Sequence, residues 1–270
     1  MCGIAGFVND MPIDMKCPVL QRMTDMIAHR GPDSEGHYID EHAALGHRRL
    51  SIIDLGGGQQ PIYNEDGSKV ITFNGEIYNY QTLREELIAA GHTFTTKSDT
   101  EVLLHGYEQW GVDLLQRVRG MFTFVIWDKN KQELFGARDH FGIKPFYYAK
   151  MNGTFMYASE IKSLLRHPDF VKELNAEALK PYMTFQYPAI GETFFKGVYK
   201  LPEGHYFTYR DGKMDIHRYY DEDFREGKQK LGELVNSIDQ TVCDSVKAHQ
   251  IADVEVGSFL SSGVDSSYVA

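Results

Sequence analysis

Cys2 directly follows the initiator methionine, and no other position in the sequence offers as much chemistry. A residue this small allows Met1 to be removed, which leaves a thiol and a free α-amine on one residue. An α-amine has a reference pKa of about 7.7–8.0, so near neutral pH it can take the thiol proton. The thiolate is the reactive form, so Cys2 alone would supply nucleophile and base for attack on a carbonyl. A buried apolar cysteine near a chain end begins the same way, and two residues cannot separate these readings. A second candidate lies near the other end, where an apolar run through Leu260 enters Ser261-Ser262-Gly263-Val264-Asp265-Ser266-Ser267. A strand, a loop of small residues and a helix start would turn backbone N–H groups toward phosphate oxygens. The loop lacks the Gly-Lys-Ser/Thr of a Walker A motif.

The rest of the chain separates the two readings of Cys2. The blocks MCGIAGF, His29-Arg30-Gly31-Pro32-Asp33, Arg49 to Asp54, Asn74 to Asn79, Ser98-Asp99-Thr100-Glu101 and Arg138-Asp139 occur in this order. Together they resemble the glutaminase domain of class II glutamine amidotransferases, and within that group the glutamine-hydrolysing asparagine synthetases. The resemblance covers residues 2 to about 200.

It implies a role for each matching residue, and each role has a bland counterpart. Cys2 is the nucleophile. The Asn74 side-chain amide and the Gly75 N–H are the oxyanion donors, although Asn-Gly alone reads as a hairpin turn. Arg49 clamps the α-carboxylate of glutamine with its planar fork; the alternative is a surface charge, a part that suits Arg48 better. Asp99 meets the α-ammonium with help from the Glu76 backbone, and it also reads as a helix N-cap. Leu50, Ser51, Ile52 and Ile53 lend backbone and apolar wall to the same pocket. His29 to Asp33 is expected to be a structural turn, Arg138-Asp139 a structural ion pair, and Cys17 and Cys243 bystanders. Leu260 to Ser267, with Asp265 inside it, resembles the pyrophosphate loop of the ATP-pyrophosphatase family. Ser262 stands where that family usually has glycine, a difficulty if φ > 0 is required there.

These residues need elements to hold them. Apolar patterning predicts strands over Gly3–Val8, Ala43–Asp54, Lys69–Phe73, Met121–Trp127, Leu134–Ala137, Phe146–Ala149 and Phe155–Ala158. Helices are expected over Leu20–Ala28, Thr82–Ala90, Thr100–Trp110 (capped by Asp99) and Ser159–Leu165. Charged residues 221–230 read as a linker. A long amphipathic helix with Leu231, Leu234, Val235, Ile238, Val242 and Val246 on one stripe follows, then a strand over Val254–Leu260. The expected fold class is α+β, with a boundary near residue 218. Residues 1–218 form the glutaminase domain, for which the resemblance implies an N-terminal-nucleophile αββα sandwich. Residues 219–270 form the truncated start of a Rossmann-like α/β nucleotide-binding domain.

Bulk properties agree with an ordinary globular enzyme. The chain has 270 residues, 42% hydrophobic and 24% charged, which excludes disordered and fibrous classes. A net charge of −10 argues against a nucleic-acid or anionic-membrane surface. No segment has the length of a membrane span, and the N-terminus lacks a secretory pattern, so a cytoplasmic protein is expected. The spacing of the three cysteines and eleven histidines suggests no disulfide framework and no metal. The resemblance implies glutamine as substrate, with no cofactor for the glutaminase step. In full-length relatives it implies aspartate, ATP and Mg²⁺, and it is compatible with a homodimer. Rival readings are a different carboxylate acceptor, an amidase for acylated substrates, and a non-catalytic fragment.

Overall fold

The computed structural model describes residues 1–187 and 190–270. The chain opens with β1 (Gly3–Val8), α1 (Ile13–Asp25), β2 (Ser34–Ile39), β3 (Ala43–Arg49), β4 (Ile62–Tyr63) and β5 (Lys69–Ile77). Two helices, α2 (Tyr80–Ala89) and α3 (Asp99–Trp110), precede a run of strands. These are β6 (Gly120–Asp128), β7 (Glu133–Arg138), β8 (Tyr147–Met151) and β9 (Thr154–Ala158). Then come α4 (Ile161–Leu164), α5 (Leu179–Phe185), β10 (Val198–Lys200), β11 (His205–Arg210), β12 (Lys213–Arg218), α6 (Leu231–His249) and α7 (Val264–Val269).

The strands form two antiparallel sheets, ordered β10-β8-β9-β1-β3-β2 and β12-β11-β7-β6-β5-β4. Strand alternation explains how they stack. In β6, Val125 and Trp127 meet Ile4, Leu45 and Phe155 of the other sheet, whereas Phe124 and Ile126 meet α2 and α3 through Leu87 and Leu103. In β1, Ile4 faces the second sheet while Phe7 packs under α1 with Leu20 and Met23. Each central strand is therefore apolar on both faces, and the layers run helix, sheet, sheet, helix.

Several expectations are corrected. The strand from Ala43 ends at Arg49, because the following residues turn back to bind the Arg49 guanidinium. Helix α1 begins at Ile13, well before Leu20, and contains Pro18. The Asn74-Gly75 turn does not form: both residues lie inside β5, opposite Thr123 and Phe122. A Cβ on Gly75 would come within 2.2 Å of the Met121 carbonyl oxygen, so glycine is needed there for close strand approach. The cap of α3 is Ser98, whose hydroxyl accepts from Thr100 N–H; Asp99 is the first helical residue. Arg138 and Asp139 do not pair with each other. Arg138 donates to the carbonyl oxygens of Gly142, Lys144 and Leu201, and Asp139 accepts N–H groups of Phe122, Phe141, Ile143 and Lys144. Back to back, the two side chains knit the 139–144 loop to the end of the sandwich. Finally, no strand forms over Val254–Leu260, where every residue is exposed and has no neighbouring strand to pair with.

Candidate active site

Three strands present their inward faces at one end of the sandwich. Ile4 of β1, Leu45 of β3 and Val70 of β5 all point between the sheets. Counting by twos along each strand places Cys2, His47 with Arg49, and Asn74 on that same inner face. The β1–β3 register, with Gly3 opposite Arg48, continued by one residue sets Cys2 beside Arg49. The resulting cavity is lined by Cys2, Arg49, Asn74, Gly75 and Asp99, with Leu50, Ile52, Ile53 and Glu76 around them.

Cys2 is held from both sides. Its carbonyl accepts Arg30 Nε–H at 2.9 Å, and Arg30 is braced by Glu160 at 3.2 Å. Its sulfur lies 3.3 Å from the Leu50 nitrogen, which donates to it. Burial pushes the thiol pKa up, against the Leu50 N–H and the nearby terminal amine, which pull it down. Left alone, the thiol stays protonated, so ionisation requires a base. Met1 precedes Cys2 and carries that amine, whose own pKa burial lowers.

The outer edge of β5 is the second component. Even-numbered residues there pair with β6, as the Tyr78 N–H to Arg119 carbonyl bond continues the ladder. Odd-numbered N–H groups point away from it. Strand β4 covers that edge only at Val70 and Ile71. Farther along, side chains replace a strand: Gln60 Oε1 accepts Phe73 N–H at 2.6 Å, His47 Nε2 meets the Phe73 carbonyl at 3.0 Å, and Asp99 Oδ2 accepts Ile77 N–H at 3.0 Å. Between them Gly75 N–H faces the cavity and takes no partner among the described residues. The Asn74 amide is buried there too, with neither Nδ2 nor Oδ1 hydrogen-bonded. A buried, unpaired amide is costly in a folded protein.

Arg49 is 5% exposed, and its Nη2 donates to the carbonyls of Ile53 (3.0 Å) and Asp54 (2.6 Å). The 50–58 loop wraps it closely, since a Cβ on Gly58 would lie 2.6 Å from Nη2. Asp99 is 4% exposed, and burial pushes its carboxyl up to about 7 against the pull of the Ile77 N–H. No fixed cation neutralises it among the described residues, so it suits a ligand that brings one.

Ser51 is the exception in its block. It does not line the cavity; its N–H donates to Asp33 Oδ2 at 2.7 Å, tying the loop to the 29–33 turn. Gln60 and Lys144 line the cavity without having been singled out from sequence, and Ser98 and Thr100 line it from a block in which only Asp99 was given a site role. Ser98 carried a signal, the Ser-x-x-Glu of a helix start; Gln60 carried none. Leu260 to Ser267 lie apart and are exposed except for half-buried Ser266, with Ser261 Oγ 2.7 Å from Ser266 Oγ. The C-terminal segment does touch the site's outer rim. Asp253 N–H donates to the Ile52 carbonyl (2.9 Å), Asp253 Oδ2 accepts Asp54 N–H (2.7 Å), and His249 packs on Tyr78 with ring centroids 4.2 Å apart.

Comparison with known proteins agrees with this geometry. Residues 1–220 match the glutamine amidotransferase domain family, and residues 237–270 match the asparagine synthase family. Asparagine synthetase [glutamine-hydrolyzing] 1 of Bacillus subtilis is 45% identical over 100% of this chain and 43% of its own length. Asparagine synthetase [glutamine-hydrolyzing] 3 of the same organism is 36% identical over 100% of this chain and 44% of its own. The amidase chry2 of Gibberella zeae is also 36% identical, over 100% of this chain and 42% of its own length. The chain thus spans less than half the length of these relatives. Among solved structures, the glutamine phosphoribosylpyrophosphate amidotransferase of B. subtilis superposes with a TM-score of 0.61 at 18% identity, over 82% of this chain and 50% of that one. That likeness establishes the fold, two antiparallel sheets between helices, as one shared with that amidotransferase.

Proposed function

The chain belongs to the glutamine amidotransferase domain family over residues 1–220, and from that premise we propose that it hydrolyses glutamine to glutamate and ammonia at Cys2. The observation that carries the reading is one cavity holding a thiol, an unpaired amide and main-chain N–H beside it, and a buried Arg49 and Asp99 for the two ends of a free amino acid. With Met1 removed, the Cys2 amine takes the thiol proton and the sulfur attacks the side-chain carbonyl carbon. The oxyanion is met by Asn74 Nδ2–H and Gly75 N–H. Collapse breaks the C–N bond, and the amine returns its proton to the leaving nitrogen, which departs as ammonia. Water, deprotonated by the same amine, then cleaves the thioester; glutamate leaves and the thiol regains its proton. No cofactor enters this step.

Within a longer protein, we place the ammonia in an ATP-dependent conversion of aspartate to asparagine. Support comes from the match of residues 237–270 and from relatives named as asparagine synthetases. Ser261, Ser262, Ser266 and Ser267 would hold the ATP pyrophosphate with Mg²⁺. Their hydroxyl donors suit phosphate, and Ser262 is not among the residues with positive φ, so its Cβ is unstrained. ATP, when bound, activates a carboxylate. No helix among the described residues is long and apolar enough to cross a membrane, and a cytoplasmic setting and a homodimeric assembly belong to the same proposal.

Intact-mass measurement paired with a glutamate assay tests the first step. Activity is expected only in protein that has lost Met1; full activity with Met1 retained would overturn the mechanism. The second step is tested on the longer protein with aspartate, ATP, Mg²⁺ and glutamine. Glutaminase without asparagine would point to another carboxylate acceptor.

A further inference from the structure

Away from the cavity, Glu65 of the β4–β5 hairpin, His92 of the α2–α3 connection, and His105 and Glu108 of α3 bring one ligand atom each to within 4.8 Å of one another. His105 Nδ1 lies 3.2 Å from Glu108 Oε2 and 3.4 Å from Glu65 Oε2, and His92 Nδ1 lies 3.2 Å from Glu65 Oε1. The far side of each imidazole is already occupied. His105 Nε2 faces Glu101 Oε1 at 3.4 Å, and His92 Nε2 faces Gln109 Oε1 at 3.3 Å. Glu101 is itself fixed by the N–H and hydroxyl groups of Thr95 and Thr96. With an ion bound, one proton on the outer nitrogen of each ring would satisfy these contacts and leave both Nδ1 lone pairs converging with two carboxylates. A cation would meet all four groups at once. Binding would displace the proton His105 otherwise holds, since against the burial that lowers its pKa, hydrogen bonds to Glu101 and Glu108 push it up to about 9.

We infer that Glu65, His92, His105 and Glu108 form a binding site for a first-row transition cation, Zn²⁺ by its donor set. Zinc bonds of about 2.0–2.2 Å in a tetrahedron require ligand–ligand edges of about 3.3–3.5 Å; the three His–Glu contacts of 3.2–3.4 Å match, and the wider separations, up to 4.8 Å, would tighten on binding. A ligating histidine ordinarily donates its other N–H to a carboxylate or carbonyl, and His105 and His92 are placed to do so toward Glu101 and Gln109. The remaining oxygen of Glu108 is held by Asn64 Nδ2 at 2.7 Å, which fixes the carboxylate's aim. Two imidazoles with two carboxylates select zinc over magnesium or calcium. The ligands span Glu65 to Glu108 and only His105 and Glu108 share an element, which is why local spacing did not reveal them. The ion would clip the β4–β5 hairpin to the connection that ends in Ser98 and Asp99.

The test uses untagged full chain, stripped with chelator and titrated calorimetrically with Zn²⁺, then with Co²⁺ monitored by visible absorption. One equivalent is expected to bind with micromolar or tighter affinity, with the intense visible band of tetrahedral cobalt and a raised Tm. His92→Ala and Glu65→Gln, both nearer the surface than His105, are expected to weaken binding at least tenfold while remaining folded by circular dichroism. Absence of stoichiometric binding overturns the inference. So does binding of equal strength in both variants, which would assign the metal to the cysteines.

Discussion

Residues 1–220 and residues 231–270 use the same kind of sequence and reach different ends. In the first region, apolar alternation along β1, β5 and β6 becomes core, with Ile4, Phe124 and Trp127 at 0–1% exposure. In the second, no residue is buried: Leu231 is 79% exposed, Ile238 59% and Phe259 102%. Helix α6 nevertheless forms, since its backbone bonds close within the segment and Glu233 Oε2 accepts Lys230 N–H at its start. The apolar run Val254–Leu260 remains without strand structure, because a strand's hydrogen bonds must be made by a neighbour. Pattern proposes an element, and for strands only a partner realises it.

The sharpest break between the regions should come from Cys2→Ala. Glutamine hydrolysis is expected to fall at least about a thousandfold, because nucleophile and proton carrier are one residue. The Tm should hold, and a glutamate assay with a thermal melt decides it. Asn74→Ala removes a proposed oxyanion donor and should lower kcat about a hundredfold or more with little change in KM. Arg49→Ala should act the other way. A lost charge-assisted pair of about 1.5–3 kcal/mol raises KM tenfold to over a hundredfold with kcat largely kept. Swapped signatures in steady-state kinetics would reverse these assignments.

The next effect is one of pH. The Asp99 carboxyl, pushed up to about 7, is neutral below that pH and cannot pair with the ammonium of glutamine. Binding the ammonium favours the ionised carboxylate, so glutamine uptake releases a proton. Affinity should therefore fall about tenfold per unit as pH drops below 7 and level off above it. Calorimetry on the Cys2→Ala protein, where no chemistry intrudes, is the measurement; Asp99→Asn should bind weakly at all pH values. The smallest effect belongs to the outer region. Deleting residues 221–270, or changing Asp253→Ala, should leave kcat intact and raise the KM for glutamine about two- to fivefold, the scale of one exposed hydrogen-bonded clasp. A large loss of Tm on deletion would erase the contrast between the two regions.

Much of the site was legible because it sits in short ordered blocks: Cys2, Arg49, Asn74-Gly75 and Asp99 each lie in one. Their setting was less so. Asn74-Gly75 carries turn chemistry, yet pairing with Thr123 and Phe122 overrides it, and that pairing is nonlocal. Strands β2 and β12 escaped notice because both are short, polar edge sequences: SEGHYI has no alternation to read, and in KMDIHR only Met214 and Ile216 alternate. Arg138-Asp139 looked like an ion pair because adjacency in sequence says nothing of side-chain direction. Gln60, which takes the place of a strand for Phe73, has no pattern at all; its meaning exists only once β5 is in position.

The open edge of β5 has a consequence for anyone mapping this site by mutagenesis. Half of the proposed donor pair beside Cys2 is the Gly75 main-chain N–H, which every amino acid but proline also carries. A saturation scan would register Gly75 only as a steric position, intolerant because of the Met121 carbonyl at 2.2 Å from a would-be Cβ. The electrostatic contribution would go unseen, and Asn74 would be credited with all of it. Removing that N–H is not a codon change but a chemical one. An ester in place of the amide between Asn74 and Gly75, made by semisynthesis, would take away the proton and leave the shape.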